Sequence, residues 1–258
     1  MILYIRSIKL GIWLLLISNI GLSQTIINAE RLMGGKDSTI FSLAFSYNGT
    51  GGNAITNRVD IAPAIVLVRE KSNLMLFGGY SLLSQSNDKI LNTGFGHIRH
   101  TLRINKRFGT FEFYQRQFNE VLLLTRREVI GAGLTYKIVN SDSLKLDLNA
   151  GVMREVEILK EASLLPDELS ETKYLRLSIV NSFSWYIGKL IRINNVIYYQ
   201  PYIGDFADFR LLDDFNLIVA LDNHIEFISS FTFRYDSQPP SALKSTDNSI
   251  AFGINLKF

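Results

Sequence analysis

From about residue 38 onward the chain alternates apolar and polar positions with a period of two. That is the pattern of strands with one greasy face and one wet or crowded face. The clearest stretch is Asn248–Phe258, where Ile250, Phe252, Ile254, Leu256 and Phe258 hold every second position. Ala251, Gly253, Asn255 and Lys257 lie between them. Residues 38–48 set Phe41, Leu43, Phe45 and Tyr47 against Ser42, Ala44 and Ser46, and residues 94–104 set Ile98, Leu102 and Ile104 against His97, Arg99, Thr101 and Arg103. Similar segments run over 54–68, 74–83, 110–118, 125–138, 143–153, 173–185, 190–200, 209–221, 225–235 and 246–258. The pattern predicts about a dozen strands of about ten residues, as in a transmembrane β-barrel. Pro63 lacks a ladder donor and predicts a bulge or an edge-like position. In 110–118 the alternation sets Glu112, Tyr114 and Arg116 against Phe111 and Phe113, which leaves Gln115 and Gln117 on the apolar face. Asn195 is a further polar residue on an apolar face.

The connections alternate in length. Ser84–Thr93, Ile158–Glu171, Pro201–Asp208 and Asp236–Ser245 read as long loops. Glu70–Asn73, Asn105–Gly109, Asn140–Asp142, Tyr186–Lys189 and Asp222–His224 read as tight turns. Long loops on one side and short turns on the other is the outer-membrane arrangement. A soluble β-sandwich also alternates. It does not account for Tyr47, Tyr136, Trp185, Tyr186, Tyr198, Tyr199 and Tyr235 near strand ends, or for an aromatic at position 258. The expected fold is therefore all-β: a single antiparallel up-and-down transmembrane barrel of about 12 strands over residues 24–258.

Composition changes this picture in three ways. Arg6 and Lys9 precede the apolar run Leu10–Ile20, and Gly21, Leu22 and Ser23 follow. This is the layout of a cleaved secretory signal over residues 1–23; the run falls short of the roughly 20 residues of a spanning helix. Without those 23 residues, the 27 basic residues drop by two to 25 against 24 acidic, a net charge of +1, so nothing electrostatic points to nucleic acid. Cysteine is absent, which removes disulfides, thiolate metal sites and lipid attachment at cysteine.

Arg126-Arg127 followed by Gly131-Ala132-Gly133-Leu134, then Tyr198-Tyr199-Gln200-Pro201, then Tyr235-Asp236-Ser237-Gln238-Pro239-Pro240 with Thr246-Asp247 just after, resemble the salt-induced outer-membrane protein family (domain of unknown function 481). The resemblance covers most of the chain beyond the leader and implies a single bacterial outer-membrane barrel. It brings no substrate, cofactor or catalytic set.

Candidate chemistry is sparse. His97 and His100 have helical metal-pair spacing, but on a strand they point to opposite faces. The third histidine, His224, has no serine two residues away as a barrel lipase requires, and Asp213-Asp214 also diverge. Gly94-x-Gly96 and Gly131-x-Gly133 lack a following helix and are not phosphate loops. No catalytic, cofactor-binding or metal-binding residue is assigned, and no cofactor is expected. The remaining feature is a set of charges expected to face the barrel interior: Arg58, Asp60, Arg99, Arg103, Glu112, Arg116, Arg127, Lys145, Asp147, Arg176, Arg192, Asp214 and Glu226. A polar interior spares them the cost of facing lipid. They either line a narrow, anion-favouring pore for small solutes, linked to envelope or osmotic stress, or pair across a closed interior in a barrel that acts through its loops. A barrel enzyme acting on lipid or peptide is the least supported reading. Expected partners are outer-membrane lipids, small solutes and the barrel-assembly machinery, which reads the insertion signal Phe252, Ile254, Leu256 and Phe258.

Overall fold

The computed structural model describes residues 38–52, 55–86, 88–222 and 225–256. The expected signal segment 1–23, His224 and Phe258 lie outside the described residues. Twelve strands pair in chain order: β1 (Thr39–Thr50), β2 (Thr56–Val68), β3 (Ser72–Gln85), β4 (Asp88–Arg103), β5 (Phe108–Asn119), β6 (Leu124–Asn140), β7 (Leu144–Leu159), β8 (Glu171–Ile187), β9 (Ile191–Tyr202), β10 (Asp205–Ala220), β11 (Ile225–Asp236) and β12 (Thr246–Leu256). Every pairing is antiparallel, each strand with its sequence neighbour. This is the up-and-down arrangement that the alternation predicts. The start of β1 lies opposite Leu67 and the end of β12 opposite Ile225, so both edge strands have their outer termini at the end bearing the 69–71 and 221–224 turns. That end is called the lower end below. Among the described residues β1 and β12 do not pair, and the sheet is open between them.

The sheet curls because one face of most strands is buried while the other is exposed. Arg210 on β10 reaches Glu155 on β7, three strands away, so the buried face is concave. The convex face carries Phe41, Phe45, Leu76, Ile98, Ile130, Leu134, Val152 and Phe252, each at least 39% exposed. Aromatics border this apolar band at both ends. Tyr199, Phe209 and Tyr235 form a row near the upper end with centroids 5.5 and 5.4 Å apart, and Phe108 and Tyr136 meet at 4.9 Å near the lower end. Tyr186 and Tyr198 belong to the concave face instead: Tyr186 pairs with Arg192, and Tyr198 is buried.

Several expectations need correction. The strands run on into two of the predicted long loops. β3 and β4 meet across residues 86–87, and β9 and β10 across 203–204. Only 160–170 and 237–245 remain long, both at the upper end. Pro63 produces no bulge. The register on either side of it is unchanged, and the rungs opposite Gly78 and Gly79 are simply unmade. Most consequential is β5, whose faces are the reverse of the predicted ones. Phe111, Phe113, Gln115 and Gln117 face the concave side, while Glu112, Tyr114 and Arg116 face outward. The cross-strand partners decide this: buried His97 lies opposite Gln115, and buried Arg99 opposite Phe113.

The concave face is also less uniformly polar than predicted. Val66, Val68, Met75 and Phe77 form one buried apolar cluster, and Val180, Val196, Tyr198 and Leu212 another.

Candidate functional site

The upper part of the concave face holds a dense charge cluster. β7 continues past its predicted end at residue 153, and this extension places Glu155 and Glu157 on the same face as Asn149 and Met153. β6 contributes Arg127, β8 Arg176, β10 Asp208 and Arg210, and β11 Asp236. Glu155 is 0% exposed and sits at the centre. Arg127 Nε donates to it at 2.8 Å and Arg127 Nη2 also donates to it. Arg176 Nε donates at 3.2 Å, and Arg210 Nη1 donates to both Glu155 oxygens at 3.0 and 2.9 Å.

Each arginine also has a further acidic partner. Arg176 grips Asp208 through two bonds of 2.9 and 3.1 Å. Arg210 bonds Glu157 at 3.1 Å and Asp236 at 3.0 Å. Arg127 lies 3.7 Å from Glu157. Three guanidiniums thus share four carboxylates, and the planar fork of arginine suits the paired oxygens. Because Glu155 and Arg210 come from strands three apart, the cluster spans β6 to β11 across the concave face of the curled sheet.

Two loops cover the cluster. A small pocket above it is lined by Leu122, Leu124, Glu157, Arg210, Pro239 and Leu243, so the β5–β6 connection faces the 237–245 loop across the interior. The 160–170 and 237–245 loops meet where the Ser241 backbone N–H donates to Glu168 at 2.6 Å; Leu165 N–H donates to the other Glu168 oxygen at 2.8 Å. These bonds, Ser241 first, hold the Glu168 carboxyl below its ordinary range.

Elsewhere on the sheet, the other predicted charges are dispersed. Arg58 Nε binds Asp60 at 2.8 Å, and Ser46 and Ser81 also donate to Asp60. Arg99 lies over the Phe111 ring at 4.9 Å. Asp214 and Glu226 are buried on the concave face, and Arg103, Lys145, Asp147 and Arg192 fall on the same side by alternation. Glu112 and Arg116 do not join them. Glu112 pairs with His100 Nδ1 at 2.5 Å on the convex face, and Arg116 lies 3.6 Å from Glu128 there. The sequence reading missed Glu155, Glu157, Asp208, Arg210 and Asp236. Arg210 lies within the predicted strand 209–221, and alternation continued past residue 153 and backward from 209 would have placed Glu155, Glu157 and Asp208 inward. His97 is buried against Gln115 at 3.0 Å and stacks on Phe113, well away from His100. Among the described residues no group of three or more His, Cys, Asp or Glu is arranged to hold a metal ion.

Among solved structures, the NanC porin is similar, with 11% identity and a TM-score of 0.46 over 83% of this chain and 100% of that one. The KdgM porin aligns with 8% identity and a TM-score of 0.41 over 86% and 99%. The beta domain of the Bordetella autotransporter BrkA aligns with 10% identity and a TM-score of 0.38 over 85% and 97%. No curated protein matches the chain. Residues 43–258, the whole of the described sheet apart from the first residues of β1, match the family described as "Protein of unknown function, DUF481", and the chain belongs to that family.

Proposed function

We propose that this protein is an outer-membrane β-barrel with a narrow, arginine-rich interior passage for small solutes, constricted at the Glu155 cluster. The observation that carries the reading is the division of the sheet into a convex apolar face bordered by aromatics and a concave face bearing Arg58, Arg99, Arg127, Arg176, Arg192 and Arg210. In lipid, unpaired strand edges are untenable, so the reading requires β1 and β12 to pair in the membrane. Residues 1–23 serve as the export signal in this reading, and β12 is the strand handed to the barrel-assembly machinery. With Arg116 outside and Glu155, Glu157, Asp208 and Asp236 inside, the inward cations are matched by carboxylates, so the interior charge does not by itself select anionic solutes. A role in osmotic or envelope stress belongs to the same proposal, and growth of a deletion strain in raised salt tests it.

A second reading has its own support. The Glu155–Arg210 bonds link β7 to β10 across the concave face, and the 237–245 loop lies beside them and is tied to the 160–170 loop, which favours a closed barrel acting through those loops. Planar-bilayer conductance of the refolded protein without residues 1–23 separates the two. Steady conductance whose ion selectivity changes in Arg99→Ala/Arg103→Ala supports the passage. Silence from wild type and from Glu155→Gln, both shown to be folded, refutes it in favour of the closed barrel.

A further inference from the structure

The convex face departs from an apolar surface in one coherent place. Near the upper end Arg116 on β5 lies opposite Glu128 on β6, Glu128 opposite Val156 on β7, and Val156 opposite Lys173 on β8. Arg126 lies opposite Ile158, and Arg154 sits between Ile130 and Leu175. Four cations therefore share this patch with two carboxylates, Glu128 and Glu171, of which Glu171 is bonded to Lys173 at 2.9 Å. Arg154 is exposed and has no carboxylate within salt-bridge distance among the described residues. Arg126 Nε is shielded from solvent without a hydrogen-bond partner among the described residues. Immediately below lie Ile130, Leu134, Val152 and Leu175, each at least 49% exposed. From Arg116 to Lys173 the patch crosses three strand spacings, about 14 Å.

We infer that this patch docks the phosphates of a phosphorylated glycolipid headgroup in the outer leaflet, an inference that rests on the outer-membrane reading above. Guanidinium forks match phosphate oxygens in paired bonds. Cations at the edge of an apolar band meet the headgroup layer, while the residues below meet the acyl chains. A free phosphate would find only the charges, exposed to water, where single ion pairs contribute little. The excess of two cations is thus suited to an anion anchored by its own apolar tails.

The test uses the refolded protein without residues 1–23 in detergent, titrated with diphosphorylated lipid A, with its dephosphorylated form and with inorganic phosphate, while thermal unfolding is followed. Lipid A is expected to raise the unfolding temperature in a salt-sensitive manner. The dephosphorylated form and inorganic phosphate should not reproduce the shift, and Arg116→Gln/Arg154→Gln/Lys173→Gln should lose most of it. A shift unchanged by dephosphorylation, or retained in the triple variant, overturns the inference. An equal shift with inorganic phosphate overturns it in favour of a free-anion site. If the triple variant does not fold, Arg154→Gln alone decides: it must weaken the lipid A shift, and an unchanged shift refutes the inference. Insertion of wild type into phosphatidylcholine vesicles is measured alongside. Its absence overturns the barrel reading and this inference together, whereas insertion without phosphate dependence overturns this inference alone.

Discussion

Glu155→Gln is the most informative perturbation of the cluster. The change keeps shape and removes one charge from a fully buried position that touches Arg127, Arg176 and Arg210. The three arginines are not affected equally. Arg176 retains Asp208 at 2.9 Å, and Arg210 retains Glu157 at 3.1 Å and Asp236 at 3.0 Å. Arg127 loses its close carboxylate, and Glu157 lies farther from it, at 3.7 Å. Removing one partner of a buried ion pair costs about 3–5 kcal/mol, because the surviving charge stays desolvated. With Arg176 and Arg210 keeping short carboxylate bonds, the expected loss is at the lower end, about 3 kcal/mol. Glu157→Gln should cost less, about 1–2 kcal/mol, since Arg210 keeps Glu155 and Asp236. The assay is urea unfolding of the refolded protein without residues 1–23 in lipid vesicles, followed by the fluorescence of Trp185, the only tryptophan beyond residue 23. The double variant Glu155→Gln/Arg127→Met should recover part of the loss, as groups in one network are not additive. A Glu155→Gln midpoint within about 0.5 kcal/mol of wild type, the range of ordinary surface changes, would show that the cluster is solvated and does not brace the walls.

Three further outcomes follow from other parts of the sheet. Glu168 has a lowered folded pKa, so its contribution to the loop contact is present above the ordinary carboxylate range and is lost as pH falls through the folded value. Proteolysis within 237–245 should therefore be slower in wild type than in Glu168→Ala at neutral pH, and the difference should vanish as pH falls through the lowered folded value; equal rates at neutral pH argue against this contact. A Cβ on Gly133 would fall 2.6 Å from Gly151 Cα and 2.7 Å from the Phe111 ring. Gly133→Ala should thus destabilise by about 1–3 kcal/mol through overpacking, and an unchanged urea midpoint counts against that packing. Because the chain has no cysteine, Ala44→Cys in β1 paired in turn with Ser249→Cys, Ala251→Cys or Gly253→Cys in β12 reports closure without background. In vesicles one combination should cross-link within the monomer, and failure of all three refutes an edge-to-edge seam at this level.

How much of this was legible in the sequence depends on how strongly each strand distinguishes its two faces. β1, β4 and β8 set large apolar residues against small or charged ones, and their faces follow from alternation alone. β5 does not. Its sequence puts Phe111 and Phe113 in the same set as Gln115 and Gln117, so the phenylalanines argued for lipid and the glutamines for the interior. The structure resolves the conflict through neighbours that sequence order does not reveal. Gln115 lies opposite His97, Phe111 lies beneath Arg99, and the two phenylalanines become part of the packed interior.

The strand ends failed for a related reason. Asn87, Gly204 and Asp208 fall in predicted long loops, and Glu155 and Glu157 fall between the predicted end of a strand at 153 and the loop that begins at Ile158. Charges end a strand only when nothing on the inner face receives them. Here Arg127, Arg176 and Arg210 do, from strands 6, 8 and 10. The site was therefore hidden because its ligands to one another lie up to 55 residues apart in sequence. The carboxylates beyond the predicted strand ends are what link β6, β8, β10 and β11 through β7 near the upper end of the sheet, and this is why the first charge to remove is Glu155.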